Sequence, residues 1–178
     1  MNFRQWGLPE RLFAPFAAIC VSLLRHLTEA HISAAAIAKK LGGRKVLLRD
    51  VRSELDLAAA VRAGLPSESL DRVLDDVRSW AGSQAMVFEI VGRPRTLERK
   101  TGGKKRLLKP AESDRLARLT RLIVRAEEAI GNLDKAHRWL LKGNRALDGH
   151  VPLQLLDSDA GTLAVERVLG RIEHGVFE

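Results

Sequence analysis

The sequence predicts an all-α fold, with a helix-turn-helix unit ahead of a small helical domain at the C-terminal end. Three observations carry this. Helix-favouring Ala, Leu, Arg and Glu are frequent, Tyr is absent and runs of Val and Ile are short. Apolar residues recur every three or four positions, the spacing of one helix face. Glycine, proline and hydroxyl or acidic residues stand at the ends of those stretches, where helices start and stop. A length of 178 residues suits one domain or two small ones sharing a core, and a hydrophobic fraction of 46% is ordinary for a chain that buries one.

Residues 12–30 read as one helix, and Ser33 to Leu41 as a short second one ended by Gly42-Gly43. Arg44 to Leu48 fits either a loop or a short strand. Val51 to Ala63 is helical, with Gly64 just past its end. Ser67 offers an N-cap for a helix whose apolar stripe is Leu70, Val73, Leu74, Val77 and Trp80. Gly82 closes that helix. Ser83 caps the next, with Met86, Val87, Ile90 and Val91 inward, and Gly92 breaks it. Pro94 opens a further short helix through Arg99, ended by Gly102-Gly103. Pro110 starts the longest helix, to about Ile130, with Leu116, Leu119, Ile123, Ala126 and Ile130 on one face. Asp134 caps a short helix holding Ala136, Trp139 and Leu140, stopped by Gly143. Pro152 to Leu156 makes one or two turns. Asp157 or Ser158 caps the last helix, which buries Val165, Val168, Leu169 and Ile172 and ends at Gly175.

The net charge of +8 is unevenly distributed. Residues 1–50 carry +5, 51–92 carry −3, 93–109 carry +7, 110–143 carry +2 and 144–178 carry −3. A cationic patch as dense as 93–109 repels itself unless an anion neutralises it, and a phosphate backbone does so with release of counterions. The pattern around it fits. Ser83 to Lys100 reads as a helix, a tight turn at Gly92 and a second, arginine-rich helix, the order a helix-turn-helix needs to lay its second helix in the major groove. Leu97 would face inward. Arg93, Arg95, Thr96, Arg99 and Lys100 would face the DNA, and Lys104, Lys105 and Arg106 the flanking phosphates.

Other chemistry finds little support. One cysteine, Cys20, in an apolar run, excludes a disulfide framework and a cysteine-cluster zinc site, and fits an intracellular protein with a buried thiol. Leu12 to Leu24 is uncharged but too short to span a bilayer, and reads as a buried helix rather than a signal peptide, so a soluble protein is expected. His26, His31, His137, His150 and His174 are scattered without ligand spacing, so no metal is expected. Glu127-Glu128 and Asp75-Asp76 read as solvated helix faces. Gly102-Gly103 lacks the Lys-Ser/Thr ending of a phosphate-binding loop. Neither an enzyme nor a cofactor is expected.

The C-terminal stretch supplies Asn144, Ala146, Leu147, Gly149, Pro152, Leu155, Leu156, Asp157, Gly161, Val165, Leu169, Gly170, Arg171, Ile172, Gly175 and Val176, preceded by Ala136, Trp139 and Leu140. In this order they closely resemble the toxin-binding domain of the Xre/MbcA/ParS family of bacterial antitoxins. Gly64-Leu65-Pro66, Arg95 to Arg99 and Ser113 to Leu119 more loosely resemble that family's Xre-type DNA-binding half. The resemblance covers roughly residues 58–178. Residues 1–50 lie largely outside it and are left as an unassigned N-terminal helical extension; it implies 51–110 as an Xre-like helix-turn-helix domain and 111–178 as the toxin-binding domain, with its core motif at 144–178. It further implies a cytoplasmic antitoxin of a type II toxin-antitoxin system. Such a protein blocks a RES-type, NAD-depleting toxin, represses its own operon at operator DNA, and forms a homodimer and a toxin-antitoxin hetero-oligomer without a membrane partner.

The residues expected to meet the toxin are Asn144, Leu147, Gly149, Pro152, Arg171, Ile172, Gly175, Val176 and Phe177. Arginine is favoured among interface anchors, and Val176 and Phe177 are apolar where termini are usually polar. For Leu147, Leu155, Leu156, Val165 and Leu169, core packing is the simpler role. The competing reading is a stand-alone transcription regulator that uses the C-terminal domain only to oligomerise.

Overall fold

A computed structural model describes residues 33–80, 83–92 and 106–175. The segments expected to hold a helix at 12–30, Cys20, and the helix from Pro94 to Arg99 with Leu97 lie outside the described residues. Those described are α-helical, with short 3-10 turns and an isolated antiparallel bridge between Pro66 and Leu107.

The elements are α1 (Ala34–Lys40), α2 (Gly43–Leu47), α3 (Glu54–Ala63), α4 (Ser67–Asp76), α5 (Ser83–Val91), α6 (Pro110–Ile130), α7 (Leu133–Leu141), 3-10 turns η1 (Arg145–Leu147) and η2 (Pro152–Asp157), and α8 (Asp159–Glu173). Helix α6 is the axis of the body. It packs against α1, α3, α5, α7, α8 and η2. That many neighbours demand apolar residues on more than one side. Besides Leu116, Leu119, Ile123 and Ala126, the helix buries Leu122 and Val124, plus Ser113 and Thr120, while Ile130 is half-buried. The buried hydroxyls are satisfied locally: Thr120 Oγ1 donates to the Leu116 carbonyl at 2.8 Å, and Ser113 Oγ accepts the Leu65 N–H at 2.9 Å.

Several boundaries differ from the sequence reading, each for a local reason. Residues 44–47 are neither loop nor strand but the short helix α2, which starts at Gly43. Left-handed residues bound it, Gly42 at φ +103° and Leu48 at φ +56°, and burial of Val46 and Leu47 holds it in place. Packing here overrides the weak helix preference of valine. Helix α3 begins at Glu54, not Val51, because Ser53 caps it: Ser53 Oγ accepts the Asp56 N–H at 3.2 Å, and the Asp56 carboxylate accepts the N–H groups of Ser53 and Arg52. The Arg52 backbone bond, followed by those of Ser53, holds the Asp56 carboxyl below its ordinary value.

Pro66, not Ser67, occupies the N-cap position of α4, and the helix stops at Asp76, although all five residues of the expected stripe are buried. In α5, Val87, Ile90 and Val91 are buried and Met86 is half-buried. Helix α7 is capped by Asn132 instead of Asp134: Asn132 Oδ1 accepts the Lys135 N–H at 3.0 Å. Loss of such a cap costs about 1 kcal/mol, so Asn132→Ala is expected to lower unfolding stability by about that amount, read as a shifted denaturation midpoint at constant slope. Of the two candidates for α8, Ser158 is the cap, its Oγ accepting the Gly161 N–H at 3.1 Å.

Candidate DNA- and partner-binding surfaces

The basic stretch 93–109 follows α5 in sequence, and of it residues 106–109 are described. Gly92, at φ +92°, turns the chain out of α5, which is packed on α6. At the other end the backbone pairs with the turn between α3 and α4. The Ser67 N–H donates to the Arg106 carbonyl and the Leu108 N–H to the Leu65 carbonyl, both at 2.7 Å. Leu65 and Leu108 are buried, while the side chains of Arg106 and Lys109 are exposed. Arg93, Arg95, Thr96, Arg99, Lys100, Lys104 and Lys105 lie outside the described residues; Arg106 is on the surface beside the bridge.

At the C-terminal end, Asn144 organises a closed loop. Its N–H donates to the His150 carbonyl at 3.0 Å, its carbonyl accepts from Leu147 and Gly149 at 2.9 Å, and its Oδ1 accepts from Ala146 at 2.9 Å. Gly149 sits at φ +82°, and Asp148 at φ +53°. Leu147 and Pro152 point inward and are buried, as are Leu153, Leu156, Val165 and Leu169, while Leu155 is half-buried. Arg171 and Gly175 are exposed and Ile172 is half-buried. Val176 and Phe177 lie outside the described residues. Asn144, Leu147 and Pro152 therefore shape this end of the molecule, while Gly149, Arg171 and Gly175 are displayed on it.

Three features tie the ends together. Turn η2 packs on α5, the helix that leads into the basic stretch, and also on α6, α7 and α8. A polar junction joins α1, α4, α6 and α7. Lys40 Nζ lies 2.6 Å from Asp76 Oδ2 and 3.0 Å from Glu127 Oε1, and the same Glu127 oxygen lies 3.0 Å from His137 Nε2. The His137 ring in turn stacks on Trp80, with centroids 3.8 Å apart. Burial works against the charge on Lys40, but the hydrogen bonds and attraction of Asp76 and Glu127 outweigh it and raise its pKa. This corrects the sequence reading of Glu127 as a solvated face. Its side chain is only 14% exposed and serves two partners. Arg118 adds a third tie, pairing with Asp114 on α6 and with Asp159 at the start of α8.

Comparison with known proteins gives the two ends their names. Residues 56–121 match the antitoxin Xre-like helix-turn-helix domain, and residues 125–175 match the antitoxin Xre/MbcA/ParS C-terminal toxin-binding domain. An Antitoxin Xre of Photorhabdus laumondii is 32% identical over 123 residues, covering 67% of this chain and 80% of that protein. One from Yersinia enterocolitica is 34% identical over 108 residues, covering 59% and 72%, and one from Pseudomonas putida is 41% identical over 64 residues, covering 36% and 40%. The chain belongs to the Xre antitoxin family.

In this antitoxin the two matched regions are not separate beads. Helix α6 runs from one into the other, and the described residues fall in one compact unit. No helix among them is long and apolar enough to cross a membrane. One part of the toxin-binding region escaped the sequence reading. Lys135, Arg138, Lys142 and Arg145 line an open groove with Trp139, Gly143 and Asn144. The spacing of three and four residues between Lys135, Arg138 and Lys142 was the available signal, the pattern of a single helix face, while Arg145 of η1 joins them only through the fold.

Proposed function

We propose that this antitoxin binds and blocks a RES-type, NAD-depleting toxin through residues 125–175, and represses its own operon through the helix-turn-helix. It acts in the cytoplasm as a non-enzymatic protein, as a homodimer on operator half-sites and as a hetero-oligomer with the toxin. The observation that supports this best is the match of two functional regions in series on one body, with the strong positive charge at 93–109 and net negative charge at 144–178. On this reading DNA affinity and toxin affinity belong to different surfaces.

Two experiments test it. Co-expression with the neighbouring RES-type gene is expected to relieve growth arrest, and the two products to purify together. A chain that neither binds nor neutralises that product would be a stand-alone regulator instead. On the DNA side, affinity for the chain's own promoter is expected to fall steeply with salt. Arg95→Ala and Arg99→Ala are each expected to weaken it by about tenfold or more, the scale of one lost base or phosphate contact. Unchanged affinity in both variants would move the reading surface elsewhere.

A further inference from the structure

The groove on α7 has a composition that its surroundings do not explain. Lys135, Arg138, Lys142 and Arg145 surround Trp139 in a groove of about 600 Å³ that no carboxylate lines. None of the four cations forms an ion pair among the described residues. The Arg138 Nε donates to the carbonyl of Asp134 at 3.2 Å, a bond that leaves its charge uncompensated. Several cations elsewhere on the body are paired: Lys40, Arg118 and Arg121 each hold a carboxylate. Nor does the groove belong to a generally basic segment, since residues 125–175 carry seven basic and eight acidic groups.

Its walls are fixed before anything binds. Asn144 closes the loop with four hydrogen bonds. A Cβ on Gly143 would lie 2.5 Å from the Gly149 carbonyl oxygen, so the backbone is already at closest approach between the end of α7 and Arg145 of η1. Trp139 is half-buried, with Ala136 and Leu140 of the same helix fully inside, so the indole is held from beneath and presents an apolar face among the charges.

The geometry points to a docking groove for an acidic segment of the toxin: carboxylates paired with Lys135, Arg138, Lys142 and Arg145, and an apolar side chain laid on Trp139. This rests on the toxin-binding reading of residues 125–175, within which the whole groove falls. Charge complementarity selects the partner's sign. Shape selects its kind. A concave site with an indole in its lining receives a protruding side chain, whereas a duplex is read by an element that itself enters the DNA groove. Tryptophan and arginine are also the side chains that most often carry interface energy.

The test uses the full chain, its RES-type toxin and its promoter DNA. Lys135→Glu/Arg145→Glu reverses two exposed charges without touching the core. A glutamate at 135 falls in the first turn of α7, where negative charge suits the helix dipole. Toxin affinity is expected to fall by about tenfold or more and to lose much of its salt dependence, with melting temperature and promoter affinity unchanged. Trp139→Leu is expected to weaken toxin binding with the salt dependence retained. Wild-type binding of toxin with undiminished binding by the double variant would overturn the groove and leave the toxin-binding reading standing. Loss of promoter affinity in place of toxin affinity would also overturn it, making the groove a phosphate site. Failure of the wild type itself to bind the toxin would remove the reading on which the groove depends.

Discussion

Gly161→Ala is expected to destabilise the protein by about 2–3 kcal/mol, the cost of forcing a methyl group into closed packing. The sign is the informative part. Glycine inside a helix ordinarily costs about 1 kcal/mol relative to alanine, and Gly161 lies in the first turn of α8, so propensity alone would make the change stabilising. The environment reverses this. A Cβ at Gly161 would fall well inside van der Waals contact of the Leu155 carbonyl oxygen, with the Leu155 carbonyl carbon and Cβ also crowded. The nearest atoms are backbone, so no rotamer change relieves them.

Relief requires α8 to move away from η2, and both ends of that contact are committed. Turn η2 packs on α5, α6, α7 and α8, with Pro152, Leu153 and Leu156 buried. Helix α8 is fixed by Val165 and Leu169, each 0% exposed. A guanidinium titration should show a lower midpoint with the slope retained. Toxin capture should weaken, since α8 carries Arg171 and the chain beyond it. An unchanged or raised midpoint would mean that η2 and α8 meet less tightly than described.

What the sequence made legible, and what it did not, follows from the range of the interactions. The stripe of α6, its end near Ile130 and the stop at Gly64 were readable because periodicity and helix ends are local. So was the separation of the +7 stretch from the −3 stretch. The errors in capping were also local, choices among neighbouring candidates such as Asn132 over Asp134. Helix α2 was not readable. Its five residues are too few to show a period, and burial of Val46 and Leu47 against elements elsewhere in the chain decides its form. Glu127 shows the same limit in the candidate sites. Next to Glu128 it has the look of surface, yet it is held by Lys40 from the first described helix and by His137 from the next one. The residues that display themselves at the C-terminal end, Arg171 and Gly175, were separable from buried Leu147 and Pro152 only by the fold, because a motif marks both kinds alike.

Gly64→Ala is expected to cost about 3 kcal/mol or more, from two effects at one position. Gly64 has φ +89° and ψ 123°, a region that side-chain-bearing residues reach only with about 1–3 kcal/mol of strain. Its missing Cβ also leaves room for another strand of chain: a methyl group there would lie 2.6 Å from the Leu108 carbonyl oxygen and 3.3 Å from Leu107 Cβ. Gly131→Ala separates the two. Gly131 has φ +69° with nothing within 4 Å of a Cβ, so that variant carries only the backbone cost, about 1 kcal/mol. The difference between the variants measures the close approach, and that approach matters for function. The turn at Gly64 is where the end of the basic stretch is fastened, by Ser67 to Arg106 and by Leu65 to Leu108, while the Ser113 hydroxyl of α6 holds the Leu65 N–H from behind. Displacing Leu108 therefore shifts one anchor of the segment that carries Arg93 to Lys105. In Gly64→Ala, promoter affinity should fall under conditions where circular dichroism still reports a folded helical chain, whereas Gly131→Ala should bind as the wild type does. Equal promoter affinity in both would show that the bridge between residues 65–67 and 106–108 does not contribute to promoter binding.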